Sequence, residues 1–440
     1  MEVCTIGGYG EVGKNMTAVK IGSEVVILDM GFYMQKLVSF EEEGGSKEFA
    51  KAADLIRIGA IPDDSVIKNW RDEVKAIVLS HSHLDHYGAV PYLAPNYDAP
   101  IIGSPLTIEV LRKTLKDDNL RIKNKLVSIH PNSSYKASES ISIELLNITH
   151  SVPQTTMIVI HTPEGVIMYA NDFKFDKHPI IGHGPNYERL KEIKNVRVLV
   201  VDSIYANDER KTPSEMVARE MLKDVLLGTE NKGNIIVVTC FASHLARLKS
   251  IIEFGKKLNR KIVFLGRSLS KYVNAAERTK IIKFSNEVEI VAYGNKIKKK
   301  LEEIDQNRSK YLVVLTGGQG EPGSVLMKIL NGVFPFKFMP NDHMIFSNKT
   351  IPIEPNLSNR KKIEDKLREN KVRIFTDIHV SGHCAREDLR DLIALTTPEH
   401  IIPAHGEFRM MEALRELATE MGYKENKNVH LLKDGDKLMI

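Results

Sequence analysis

Cysteine is scarce in this sequence: three thiols, Cys4, Cys240 and Cys384, stand in 440 residues. An odd and scattered set gives no disulfide framework and no Cys-rich finger, and it suits a reducing cytoplasm. Long apolar runs are missing too, the longest being strand-sized and well short of the roughly 20 residues that span a bilayer. The opening Met1-Glu-Val-Cys-Thr-Ile-Gly-Gly has neither a basic start nor an apolar core, so it predicts structure and no signal peptide. Neither sign of charge dominates: 62 Lys and Arg face 57 Asp and Glu, a net of +5. The runs Lys296-Ile-Lys-Lys-Lys300 and Arg360-Lys-Lys362 are interleaved with acids and read as solvated helix faces, able to add phosphate contacts. Low-complexity tails, RNA-binding aromatic signatures and internal repeats are also absent.

What the sequence does have is histidine in one place. Ser80-His-Ser-His-Leu-Asp-His-Tyr-Gly-Ala-Val90 puts three imidazoles and a carboxylate into six residues. With 15 His in the chain, the pattern His-x-His-x-Asp-His arises by accident in roughly one chain in a thousand. The run Glu73–Ser80 before it reads as a buried strand, and Tyr87–Leu93 after it resumes a helical pattern. The cluster therefore sits in a turn at a strand's C-terminal end. In an extended segment His81 and His83 point the same way, while Asp85 and His86 face a second point. One segment thus offers ligands for two metal ions. His and Asp donors without thiolate suit hydrolytic zinc, with manganese as the weaker fit.

Two ions need more ligands than one loop holds. His150 ends the strand-like Ile141–His150, Asp172 follows Gly165–Asn171, His405 follows His400–Ala404, and Asp29 ends Glu24–Asp29. Singly each reads as a turn residue or cap; four around one cluster read as a site.

The length suggests two domains. The first 200 or so residues are strand-rich. From Thr212 helical patterns (213–227, 244–258, from Ser268) alternate with buried strands (233–239, 261–266, 311–316), a βαβ texture that predicts a parallel sheet with helices on its faces. This reads as an insertion, with domain parts at 1–205, 206–378 and 379–440, and with substrate expected in the cleft between domains. Thr316-Gly-Gly-Gln-Gly320, between a strand and the possible helix at 324–330, reads as a tight turn or a phosphate-approaching loop. It lacks the Lys-Ser/Thr ending of an ATP loop, which argues against nucleotide hydrolysis.

Asp29, His81-x-His83-x-Asp85-His86, His150 and Asp172 resemble the successive motifs of the metallo-β-lactamase fold. Asp202 in Val-Val-Asp-Ser, His383 in Ser-Gly-His and His405 in Pro-Ala-His-Gly-Glu resemble the extra motifs of its nucleic-acid-cleaving β-CASP branch. Gly7–Met16, Ile61-Pro-Asp63, Thr316–Gly323 and His379-Val-Ser-Gly-His383 resemble ribonuclease J. Two departures stand out: the chain stops soon after His405, as the shorter archaeal forms do, and Glu321-Pro-Gly-Ser replaces Glu-Pro-Met-Ser. The resemblance implies an α/β fold, a metallo-β-lactamase αββα sandwich with an inserted β-CASP domain.

It further implies two zinc ions (manganese as alternative), one held by His81, His83 and His150, the other by Asp85, His86 and His405, with Asp172 between them. Asp29 is expected behind the ligands, fixing an imidazole. Asp85, His383 and Asp202 are the expected catalytic groups, His383 as proton donor to the leaving oxygen and Asp202 as its orienter. His379, Ser381, Gly382, Ser243, Arg267, Gly317, Gly318 and Gln319 are the expected RNA and phosphate contacts. The implied activity is 5′-to-3′ exoribonuclease on single-stranded RNA, favouring 5′-monophosphate ends, by a cytoplasmic homodimer within an RNA-decay complex. Other readings are an endonuclease akin to the RNA 3′-end processing factor, a non-catalytic scaffold subunit, and a small-molecule metallohydrolase. The full ligand set disfavours the scaffold, and the inserted domain disfavours the small-molecule enzyme.

Overall fold

The computed structural model describes residues 1–42, 44–45, 50–321, 323–351 and 356–440, so Pro322 of the Gly-rich motif lies outside the described residues. The chain folds into two compact units. Met1–Lys177, His183–Thr212 and Gly382–Ile440 form the first, and His178–Gly182 with Pro213–Ser381 form the second.

Two sheets make the first unit. One has seven strands, in the order Lys437–Met439, Glu2–Gly7, Met16–Ile21, Glu24–Leu28, Val74–Val78, Ile101–Gly103, Leu126–Ser128. The other has six, His400–Ala404, Val196–Asp202, Gly165–Ala170, Thr156–Thr162, Ser142–Asn147 and Ser133–Lys136. Alternation along Thr156–Thr162 explains the layering. Ile158 and Ile160 join a core shared with Val26, Leu28, Ala76 and Val78 of the first sheet. Met157 and Val159 point the other way and pack with Leu389, Leu392, Leu414 and Leu417, which lie on helices. This is the sandwich that the sequence implied.

The second unit holds six parallel strands, in the order Glu289–Val291, Lys261–Leu265, Tyr311–Leu315, Ile236–Thr239, His343–Phe346, Arg373–Phe375. Its central strands are buried along their whole length, so they read as unbroken apolar runs. Among the described residues no helix is long and apolar enough to cross a membrane.

Two local expectations change. In place of one helix at 87–93 there are two single turns, Leu84–Tyr87 and Val90–Leu93. The first is too short to satisfy all its own carbonyls. Those of Asp85 and His86 accept instead from the backbone N–H groups of Asn15 (3.1 Å) and Met30 (2.7 Å), and that of Leu84 accepts from Phe32 N–H (2.9 Å) as well as from Gly88 N–H (2.8 Å). Gly31 makes that docking feasible, because a Cβ there would lie 1.6 Å from the Asp85 carbonyl oxygen. Arg360 is the second change. It is buried and stacks 3.3 Å above the Phe346 ring, with Nη1 donating to the Gly318 carbonyl. Only Lys361 and Lys362 of that run face solvent.

Candidate metal centre

Glu24–Leu28 runs parallel to Val74–Val78, and in the second sheet Ser142–Asn147, Gly165–Ala170, Val196–Asp202 and His400–Ala404 share one direction. Asp29, the His81–His86 segment, His150, Asp172, Asp202 and His405 therefore leave their strands at C-terminal ends. Asp29 (φ 58°), Asp172 (φ 49°) and His405 (φ 51°) each turn there through the left-handed region. Such a backbone is uncommon outside glycine and persists where surrounding bonds impose it. Asp29 N–H donates to Val78 O (2.9 Å) and His405 N–H to Gly8 O (2.7 Å).

The side chains converge in three overlapping groups: His81, His83, His150 and Asp172; Asp85, His86 and His405; and Asp172, His383 and His405. Within each group the donor atoms lie within 4.8 Å of one another. The Asp172 carboxylate faces two ways. Its Oδ2 lies 3.5 Å from Nε2 of both His81 and His150, and 3.7 Å from Nε2 of His383. Its Oδ1 lies 3.1 Å from His86 Nε2 and 3.4 Å from His405 Nε2. Asp85 Oδ2 sits 3.7 and 3.9 Å from the same two imidazoles.

The donor set fits divalent cations. It offers imidazole nitrogen and carboxylate oxygen, as hydrolytic zinc sites do. His81 Nε2 is buried with no hydrogen-bond partner among the described residues, which is costly for a chain without a cation there. Partners behind the rings turn the Nε2 atoms toward the centre: Asp29 Oδ2 takes His86 Nδ1–H at 2.7 Å, and the Gly382 carbonyl takes His150 Nδ1–H at 2.8 Å.

Charge in the metal-free chain is divided to match. Burial, reinforced by His86, holds His81 well below the ordinary imidazole range; burial also puts His83 at about 4 and lowers His150 strongly. For His86 burial opposes the cation, but Asp172, Asp85 and Asp29 outweigh it and raise the ring well above its usual value. Burial works against the Asp172 carboxylate as well, yet His86, His405 and His383 hold it well below the usual range. His383 is lifted to about 9, with Asp172 and Asp202 overcoming burial.

Sequence reading missed several supporting residues. Ser80 clasps Asp29 through both N–H and Oγ, each at 2.8 Å. Asn15 touches the His86 and His405 rings at 3.2 and 2.8 Å. Asn15 stands inside the glycine-rich Gly7–Met16 stretch, and that stretch was the available signal.

Four of the expected RNA contacts, Gly317, Gly318, Gln319 and Gly382, are buried. Gln319 is 4% exposed, its amide nitrogen donates to Lys349 O (2.8 Å) and its oxygen accepts from Ile351 N–H (3.0 Å). Gly317 and Gly318 are buried because the loop packs tightly, and Cβ atoms there would meet Ser324 Oγ and the Asn348 amide at 2.5 Å. Gly382 is buried too and serves the centre through the His150 bond. A Cβ on Gly382 would come within 2.7 Å of that ring. Gly382→Ala is therefore expected to lower metal retention and slow cleavage by ~10- to 100-fold, the scale of a lost ligand partner; metal analysis beside a rate assay checks it. Ser243, Arg267, His379 and Ser381 follow the C-terminal ends of three strands of the second unit's parallel sheet, where αβ folds place ligands. Of these Ser243 is buried, His379 and Ser381 are half-buried, and Arg267 is exposed.

Residues 10–197 match the metallo-beta-lactamase superfamily, 232–367 the beta-CASP domain of ribonuclease J, and 371–432 the Zn-dependent metallo-hydrolase RNA specificity domain. A crystal structure of an Enterococcus faecalis protein of unknown function matches with a TM-score of 0.66 at 17% identity, covering 100% of this chain and 99% of that one. Fold and site together define a metallo-β-lactamase-type protein carrying a β-CASP domain. Ribonuclease J of Methanocaldococcus jannaschii is 42% identical over 100% of this chain and 98% of its own length, and that of Pyrococcus abyssi 43% over 100% and 97%. Ribonuclease J 1 of Streptococcus pyogenes is 31% identical over 100% of this chain and 74% of its own. The chain belongs to the ribonuclease J family.

Proposed function

We propose that this chain is a zinc-dependent exoribonuclease that degrades single-stranded RNA from its 5′ end to nucleoside 5′-monophosphates, in cytoplasmic RNA decay and processing. The observation that carries the reading is His383, an imidazole braced by a buried carboxylate and turned toward a two-sided His and Asp centre. Its Nδ1 lies 2.8 Å from Asp202 Oδ2, and its ring stacks on His405 with centroids 5.5 Å apart. The ribonuclease J relatives support the choice of substrate.

His81, His83 and His150 would hold one zinc and Asp85, His86 and His405 the other, with Asp172 placed to serve both. Bound zinc supplies Lewis acidity toward the phosphodiester and an activated water near neutral pH. Asp202 accepts the Nδ1–H of His383 and fixes its tautomer, and Nε2 carries the proton for the leaving 3′ oxygen. Asp29 plays the corresponding part for His86, keeping its Nε2 turned inward.

Ser243, Arg267, His379 and Ser381 are the proposed hold on the RNA's 5′ monophosphate, hydroxyls and a guanidinium being apt partners for phosphate oxygens. A triphosphate is bulkier, and a hydroxyl end leaves those donors unpaired. A homodimer and an RNA-decay complex are the assemblies that family membership suggests. One RNA labelled at either end, carrying a mono- or triphosphate, tests the reading. Mononucleotides as the earliest products, released faster from the monophosphate end, are expected. Internal fragments appearing first, at equal rates from both ends, would make the chain an endonuclease.

A further inference from the structure

We infer that a buried hydrogen-bond relay, Asn15–Asn171–Tyr169, positions His405 and thereby tunes metal affinity on that side of the centre alone. The inference rests on the metal-centre reading above. Asn15, Asn171 and Tyr169 are each 1% exposed, so their polar atoms have only protein to bond. Asn15 Nδ2 donates to the Asp85 carbonyl at 3.1 Å, and Asn15 Oδ1 accepts from Asn171 Nδ2 at 3.3 Å. A carbonyl on one side and an N–H on the other fix which way the amide faces.

That orientation matters because His405 Nδ1 reaches both ends of the amide, 2.8 Å from Nδ2 and 3.1 Å from Oδ1. Gly13 N–H, 3.3 Å away, points at the same nitrogen. If Nδ1 accepts from these N–H groups, the ring's hydrogen sits on Nε2 and faces the centre. If Nδ1–H donates to Asn15 Oδ1, the Nε2 lone pair faces Asp172 and Asp85 and can hold a cation. Keeping Oδ1 available to Nδ1–H is the task of the relay.

At its other end the relay reaches Tyr169, where Asn171 Nδ2 uses its second hydrogen on the hydroxyl at 2.7 Å. The relay thus braces His405 from behind, while His86 is held separately by Asp29 Oδ2, which takes its Nδ1–H. His150 is held separately by the Gly382 carbonyl, and His81 meets Asp29 only through the Ser80 hydroxyl, which the substitutions below leave in place.

The experiment is zinc titration of the full, metal-free chain by calorimetry, with zinc content after dialysis as a second measure. Wild type is expected to take up two ions. Asn15→Ala is expected to keep one at wild-type affinity and to bind the other ~10- to 100-fold more weakly. Tyr169→Phe, which touches no ligand, shifts the same ion in the same direction by less, and it carries the test if Asn15→Ala does not fold. Asn15→Asp, whose carboxylate still accepts from His405 Nδ1–H, keeps the second ion near wild-type affinity, a rescue that loss of the Asp85 bond alone would not allow. Equal weakening of both ions, or unchanged binding in Asn15→Ala and Tyr169→Phe, overturns the relay while leaving the centre standing. A wild-type chain that takes up no zinc overturns the centre and the relay with it.

Discussion

His81→Ala is expected to abolish RNA cleavage and to strip zinc from the chain. His81 is fully buried at the end of the Val74–Val78 strand, 3.5 Å from the carboxylate that the two sides of the centre share. Its removal takes one of three imidazoles from its group, and no other His or Asp in that group stands ready to replace it. Lewis-acid stabilisation of a phosphodiester transition state is worth several kcal/mol, so the loss should be ~1000-fold or more. A chelator acting on wild type should reproduce it, and added zinc should reverse the chelator effect. Elemental analysis beside a single-turnover assay decides the matter. Full activity with no bound transition metal would falsify the metal-centre reading.

His383→Ala should behave differently, keeping zinc and slowing cleavage by ~100-fold or more, the scale of a lost general acid. The acid must carry its proton, so wild-type rates should decline as pH rises through the His383 pKa. In the metal-free chain that value is about 9, with Asp172 and Asp202 lifting the ring against burial. Cations engaging Asp172 weaken that lift, so the alkaline limb should fall below about 9 in the loaded enzyme and vanish in the variant. Asp202→Asn, which alters only the orienting partner, should slow the reaction less. If His383→Ala loses zinc instead, His383 is itself a ligand, and the grouping of Asp172, His383 and His405 takes precedence over that of Asp85, His86 and His405.

His81, His83, Asp85 and His86 were legible because they crowd into one turn, and His150, Asp172 and His405 because each follows an apolar strand, where a lone His or Asp has little packing reason to stand. The residues behind them were not. Asn15 sits among glycines that suggest turns, Tyr169 is one more apolar-looking letter in Gly165–Ala170, and Asn171 hides beside Asp172. Their significance lies in contacts between residues about 150 positions apart, as between Asn15 and Asn171. The glycine-rich loop is ambiguous for a different reason. A glycine demanded by a neighbouring side chain, as Asn348 demands at Gly318, is the same letter as one that lets a phosphate approach. Arg360 shows the converse, since a charge run does not reveal that one of its members turns inward onto Phe346.

The strand order carries a consequence for the birth of the chain. Glu2–Gly7 has Lys437–Met439 as one of its neighbours, and His400–Ala404 adds to Val196–Asp202 only after the whole second unit has been made. His405 is thus the last of the seven proposed ligands to emerge. A nascent chain that already displays His81, His83 and His150 still lacks the residue that closes the other side of the centre. On the proposed ligand set, a nascent chain gains its full complement only once His405 has been made.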